Sequence, residues 1–185
     1  MSILEFASYS APFSPSVDPR PSVAADDFKF AMRHLSGAVS VVTTGYGAER
    51  TGFTATSVSS FSVEPPTVLV SLNRTSSSWA VLQRTGAFAV NILTAEQSHI
   101  ADRFAGRGGE KGVGRYVDGE WRELATGVQT LVGALTVIDC ELDEVIERHS
   151  HALLIGRVRA IEVQGQSAPL LYYHGSYGRF DRTPR

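Results

Sequence analysis

The chain has 185 residues, 43% of them hydrophobic, a formal net charge of -2 and a single cysteine, Cys140. That length suits one domain with a substantial core, and the near-balanced charge offers no basic field for a nucleic-acid backbone. One cysteine makes neither an internal disulfide nor a Cys-x-x-Cys metal site.

No apolar run approaches the ~20 residues of a membrane span, and no basic-then-apolar secretory signal opens the chain. A reduced cytoplasmic location is therefore expected. Residues 1–23 hold Pro12, Pro15, Pro19 and Pro21 among serines and small residues. Such a segment buries too little to offset its ordering entropy, so a flexible arm is expected there, followed by one folded domain over residues 24–185.

Phe28, Ala31, Met32 and Leu35 recur at helical spacing, with Asp26 and Asp27 in the first turn and Gly37 placed as a C-terminal cap. Ala38 to Thr44 reads as a strand, Tyr46 to Arg50 as a turn, and Gly52 to Phe61 as the returning strand of a hairpin. Pro65-Pro66 is expected to stop pairing before a strand from Thr67 to Leu72. Ser76, Ser77 or Ser78 can cap a helix through Trp79 and Leu82 that stops at Gly86. A strand over Ala87 to Leu93 and a helix over Ala95 to Phe104 follow. The glycine-dense stretch from Gly106 to Gly119 has no regular period. Beyond it, Ile138, Cys140 and Leu142 alternate with Asp139, Glu141 and Asp143, the pattern of a half-buried antiparallel strand with Cys140 in the core. His151 to Val163 and Pro169 to Tyr173 complete the sheet. Many strands and few helices point to a mainly β fold, a β-barrel with flanking helices. No Gly-x-Gly-x-x-Gly opens a helix and no phosphate-loop Gly-Lys-Ser/Thr occurs, so Rossmann and nucleotide-hydrolase readings lose their support.

Three segments carry more polar groups than a plain barrel needs. Thr51 to Ser60 is nearly all small or hydroxyl-bearing, which fits either a cradle for a flat ring or a polar edge strand. Ser71 to Trp79 sets hydroxyls, an amide and Arg74 at a helix start, an anion site or a capped helix with a solvated arginine. Tyr172 to Gly178 frames either a stacked ring or the rim of a last strand. His149 and His151, if on one strand, share a face. No third ligand accompanies them, and no metal is expected.

Taken in order, these segments resemble the short-chain flavin reductase family, the small partners of two-component flavin monooxygenases. The resemblance runs from about Phe28 to Phe180. It is carried by Leu35 through Thr44, Gly52-Phe53-Thr54-Ala55-Thr56-Ser57, Glu64-Pro65-Pro66, Ser71-Leu72-Asn73 with Ser76 to Trp79, and Phe88 through Leu93. Arg103-Phe104-Ala105-Gly106, Asp139-Cys140-Glu141, His151 through Gly156 and Tyr172 through Tyr177 extend it.

The resemblance implies a six-stranded antiparallel split barrel of the FMN-binding type. It implies an NAD(P)H:flavin oxidoreductase working with FMN or FAD and with NADH or NADPH. It further implies a homodimer that passes reduced flavin by diffusion to a flavin-dependent monooxygenase. Position by position, Thr54, Ala55, Thr56 and Ser57 would line the flavin ring. Ser71, Leu72 and Asn73 with Ser76, Ser77 and Ser78 would hold its chain and phosphate, and Phe104 and Gly106 would close the pocket. His151, Tyr173, His174, Gly175 and Tyr177 would meet the nicotinamide. No side chain is expected to act as an acid or base, because the cofactors carry the hydride. The Gly106–Tyr116 loop lacks the Asp/Lys-Phe pair often found in the family. Arg157 and Arg159 are either contacts for a 2′-phosphate or half-exposed strand residues. Two other readings go with the same fold: a flavoprotein that keeps its FMN and acts on a separate organic substrate, and a non-catalytic flavin or haem binder.

Overall fold

The computed structural model describes residues 22–164 and 167–180, so the arm expected over residues 1–23 lies outside the described residues as far as residue 21. The chain divides into two units between Met32 and Arg33. In the first, helix α1 (Ala25–Met32) has Asp26 and Asp27 in its first turn, as its sequence requires. None of its residues is buried, although Phe28 and Met32 belong to the apolar stripe. Gly37 does not cap this helix: it begins a short strand and pairs with Tyr172.

The second unit contains all the strands. They are β1 (Gly37–Ala38), β2 (Ser40–Thr44), β3 (Thr51–Ala55), β4 (Val58–Val63), β5 (Pro66–Asn73), β6 (Ala87–Ile92), β7 (Trp121–Glu123) and β8 (Gln129–Leu131), then β9 (Thr136–Arg148), β10 (His151–Val163), β11 (Leu170–Tyr173) and β12 (Ser176–Arg179). Two short helices interrupt them, α2 (Trp79–Thr85) and α3 (Ser98–Phe104). The principal sheet is antiparallel and runs β3-β2-β6-β9-β10-β5-β4. It has seven strands where six were expected.

The extra strand comes from Gly52 to Phe61, which is two strands and not one. The chain breaks at Thr56 and Ser57, where the Ser57 hydroxyl donates to the Ser71 carbonyl at 3.0 Å and the Ser71 amide donates to the Ser57 carbonyl at 3.3 Å. Bonds that a continuous strand would give to a neighbour are thus spent on β5, and β3 and β4 become the two ends of the sheet. The double proline does not stop pairing either, since Val63 is the partner of Pro66.

Every residue of β2 is buried. Pleating sends Val42 into one apolar cluster with Phe88, Val70, Leu154 and Cys140, and Val41 into another with Ile100, Phe104, Tyr116 and Leu170. Each fully buried side chain of this size contributes about 1.5–3 kcal/mol. In β9 Cys140 is fully buried as expected, but Asp139, expected on the polar face, is fully buried too, its carboxylate accepting the Thr126 amide and hydroxyl, while Ile138 and Leu142 are only partly buried.

The glycine-dense loop is more structured than its composition implies. Residues Gly112–Tyr116 form a 3-10 turn in which Arg115 and Tyr116 are buried. Tyr116 stacks edge-on against Phe104 and Trp121, with ring centroids 5.1 and 4.6 Å away, and its hydroxyl donates to the Thr51 carbonyl at 2.6 Å. Those aromatic contacts hold a segment that has no periodicity of its own.

Candidate functional site

The break between β3 and β4 opens a cavity of about 460 Å³, within the usual range for a small-molecule site. It gathers residues that are far apart in the chain. Phe53, Thr54 and Ala55 come from β3, Thr56 and Ser57 from the break, and Ser71, Leu72 and Asn73 from the end of β5. Ser76 and Ser77 precede α2, Phe104 and Ala105 end α3, Arg115 comes from the glycine loop, and His151 begins β10. The register places His151 opposite Asn73, so both stand at one end of the β5–β10 pair.

Within this cavity Asn73 Oδ1 accepts the Thr75 amide and hydroxyl, each at 3.0 Å. Ser77 lines the cavity with its hydroxyl unengaged by any described residue. Ser78 and Gly106, expected here, do not line it. The Ser78 hydroxyl is fully buried and donates to the Gly52 carbonyl at 2.9 Å, fastening the start of α2 to β3.

Arg74 also points elsewhere. Its guanidinium donates to the His149 carbonyl at 3.3 Å and pairs with Glu147 at 2.7 Å, so it ties the β9–β10 hairpin to the end of β5 and makes no anion site. His149 lies in the hairpin turn with a φ of 51°, off the strand that carries His151, so the two rings do not share a strand face. Arg157 and Arg159 are spent on Asp143 and Glu141 across the β9–β10 pair.

The guanidinium at the cavity is that of Arg115, which is only 8% exposed. Its Nε donates to the Glu110 carbonyl at 3.1 Å and one terminal nitrogen donates to the Gly52 carbonyl. Burial pulls its pKa down, and the neighbouring Tyr116 and Glu110 pull it up; an arginine in such surroundings stays charged. The sequence held a usable signal, because Arg115-Tyr116 is itself a basic–aromatic pair in the loop that lacks the family's usual one.

A smaller chamber of about 200 Å³ shares the wall formed by Thr54, Ala55, Thr56 and Ala105 and is closed by Val39, Arg107, Tyr172 and Tyr177. The two tyrosine rings meet edge-on at 5.6 Å, and Arg107 lies over Tyr177 at 5.4 Å while pairing with Asp102 at 2.9 Å. Burial first, and the bond to Asp102 second, push the Tyr177 hydroxyl up to about 12. The residues expected around a nicotinamide are therefore split. His151 lines the larger cavity and Tyr177 the smaller chamber, while Tyr173, His174 and Gly175 line neither. His174 and Gly175 have φ of 51° and 92° and form the tight turn of the β11–β12 hairpin.

A buried guanidinium that makes no ion pair within 4 Å among the described residues, beside serine hydroxyls and a small-residue strand, suits a flat ring with a phosphate tail. The site and the open antiparallel sheet together define a split-barrel oxidoreductase. Comparison with known proteins agrees: a model of the flavin reductase-like domain matches residues 32–181, and the chain belongs to that family. As a member, it is an NAD(P)H:flavin oxidoreductase.

The chain is 39% identical over 151 residues to the FMN reductase (NADH) RutF of Acinetobacter baylyi, covering 81% of this chain and 79% of that protein. Among solved structures, the NADH:FAD oxidoreductase SgcE6 of Streptomyces globisporus superposes with a TM-score of 0.80 at 26% identity, over 90% of this chain and 100% of that one. BorF, the flavin reductase component of a bacterial two-component tryptophan halogenase, gives 0.79 at 27% identity, over 86% and 100%.

Proposed function

We infer that this chain oxidises NADH and reduces FMN, which leaves as free reduced flavin for a flavin-dependent monooxygenase or similar oxygenase component. The observation that carries the reading is the cavity at the β3–β4 break, where a small-residue edge strand, serine hydroxyls and a buried guanidinium converge. The names of the relatives support NADH and FMN, and BorF supports a two-component arrangement.

When bound, the flavin supplies the ring that accepts the hydride. The chain's residues bind and orient. As the end strand of the sheet, β3 has one edge without a neighbouring strand, and its small side chains from Thr54 on admit a ring close to the backbone. Backbone amides of Thr54 to Ser57 would stabilise negative charge that develops there. Ser71, Asn73, Ser76 and Ser77 would hold the polar chain and phosphate. His151 and Tyr177 would flank the nicotinamide; Tyr177 remains protonated at neutral pH and so offers an uncharged ring.

The protein is proposed to act as a cytoplasmic homodimer, with residues 24–185 as its catalytic domain. Support for the dimer comes from exposed apolar side chains, Phe61 and Val63 on the end strand β4 and Ile161 and Val163 on β10.

The test is steady-state NADH and NADPH oxidation crossed with FMN, FAD and riboflavin. Oxidation of NADH that rises and saturates with added free FMN is the expected result. A protein that retains flavin through gel filtration, and whose turnover ignores added flavin, would refute the diffusing-flavin reading.

A further inference from the structure

We propose that Asp102 is a positioning residue for the nicotinamide: it fixes the Tyr177 ring and cancels the charge of Arg107, so that the smaller chamber presents a neutral wall to the reduced nicotinamide. This rests on the reading above in which Tyr177 flanks that ring.

Asp102 does not line the chamber, yet it touches two residues that do. Its Oδ1 is shielded from water and lies 2.9 Å from Arg107 Nη1, and its carboxylate accepts the Tyr177 hydroxyl. Arg107 in turn lies over the Tyr177 ring at 5.4 Å. Carboxylate, guanidinium and phenol thus close a triangle in which each group restrains the other two. The Arg107 amide also donates to the Asp102 carbonyl at 3.1 Å, which keeps the loop turned back on α3.

Tyr177 needs such a hold. Strand β12 ends the sheet β1-β11-β12 and pairs with β11 alone. That pairing fixes the backbone and leaves the ring free to turn about its side-chain torsions. The Tyr172 ring meets it edge-on at 5.6 Å, and Asp102 fixes its hydroxyl end. The preceding residue of α3 has a matching task, since the Ala101 carbonyl accepts the Thr54 hydroxyl at 2.6 Å. Consecutive residues of one helix therefore hold lining side chains from β3 and from β12.

Charge points to the same ligand. Among the described residues Arg107 is the only charged side chain lining the chamber, and Asp102 balances it. Tyr177 stays protonated at neutral pH. A wall of tyrosine rings and small side chains without net charge suits an uncharged planar ring such as the reduced nicotinamide.

The experiment uses the full chain and the variants Asp102→Asn, Asp102→Glu, Tyr177→Phe and the double variant Asp102→Asn/Tyr177→Phe. It measures kcat, KM for NADH and for FMN, and NADH affinity by nicotinamide fluorescence without flavin. In Asp102→Asn the KM for NADH should rise about fivefold or more, the loss of a charge-assisted hydrogen bond at a partly exposed carboxylate. The KM for FMN should stay within about twofold. Tyr177→Phe, which leaves α3 untouched, should show the same split, and the double variant should be no worse than the larger single effect. Asp102→Glu keeps the charge and should recover part of the loss. An equal rise in KM for both substrates would overturn the proposal and leave Asp102 a structural residue of α3. Additive effects, or an unchanged KM for NADH in both single variants, would overturn it as well. A parent that binds NADH with the expected dependence on Asp102 but does not reduce flavin would instead overturn the reductase reading and leave this one standing. If the parent neither binds nor oxidises NADH, both fall.

Discussion

A Cβ added to Gly52 would stand 2.8 Å from Cε1 of Phe104 and 2.5 Å from the carbonyl oxygen of Val42. Strand β3 and the end of α3 therefore meet at this point with no space for a side chain. Gly52 also presents the carbonyl that receives Arg115 and Ser78.

Gly52→Ala should destabilise the protein by about 1–3 kcal/mol, the usual cost of overpacking a tight contact. Urea denaturation measures this directly. A midpoint equal to that of the parent would mean that β3 and α3 can separate freely.

Arg74 secures the hairpin from which His151 emerges, through Glu147 and the His149 carbonyl. Both partners of the ion pair are about two-fifths exposed, so Arg74→Gln should cost less than about 1 kcal/mol of stability. Its effect should appear in kinetics, as a KM for NADH raised several-fold with thermal stability nearly constant. Glu147→Gln should reproduce it. A KM that stays at the parent value in both variants would separate the hairpin from nicotinamide binding.

Cys140 is fully buried, and burial first and the charge of Asp139 second push its thiol up to about 12. The native protein should resist thiol reagents at pH 8 and react only when denaturant unfolds it. The folded state holds this proton after an unfolded thiol, with its pKa near ~8.5, has lost it. Stability therefore falls as pH rises from about 9 towards 12. The raised pKa of Tyr116 acts in the same direction. The urea midpoint should drop over this range, and Cys140→Ala should make the decline shallower. A midpoint independent of pH up to 11 would contradict this linkage.

Periodicity and turn chemistry gave most of the architecture. The alternation around Cys140 marks β9, the β-branched run at Ser40 to Thr44 marks a buried strand, and Gly86 ends α2 with a φ of 65°. These are local properties, set by side chains within a few residues of one another. Likewise, the Thr54–Ser57 and Ser71–Ser77 stretches are legible as candidate site segments, because their small and hydroxyl-bearing residues fit poorly with a core.

Which way the charged groups point is a different matter. Arg74 and Arg115 are each one cation in a polar, glycine- or serine-rich stretch, and composition favours Arg74. The β5–β10 register brings Glu147 and the His149 carbonyl to Arg74, while the Phe104–Tyr116–Trp121 cluster turns Arg115 inward. Ser78 differs from Ser77 for the same reason: the Gly52 carbonyl lies on its side of the turn. The sequence by itself determined most strands of the principal sheet, the two short helices and the segments that could bear a flavin, but not the break of Gly52–Phe61 into β3 and β4 nor the short strands β7, β8 and β12. Tertiary structure decided which side chains face the cavity, because that choice depends on partners 26 to 75 residues away, beyond the reach of any local pattern.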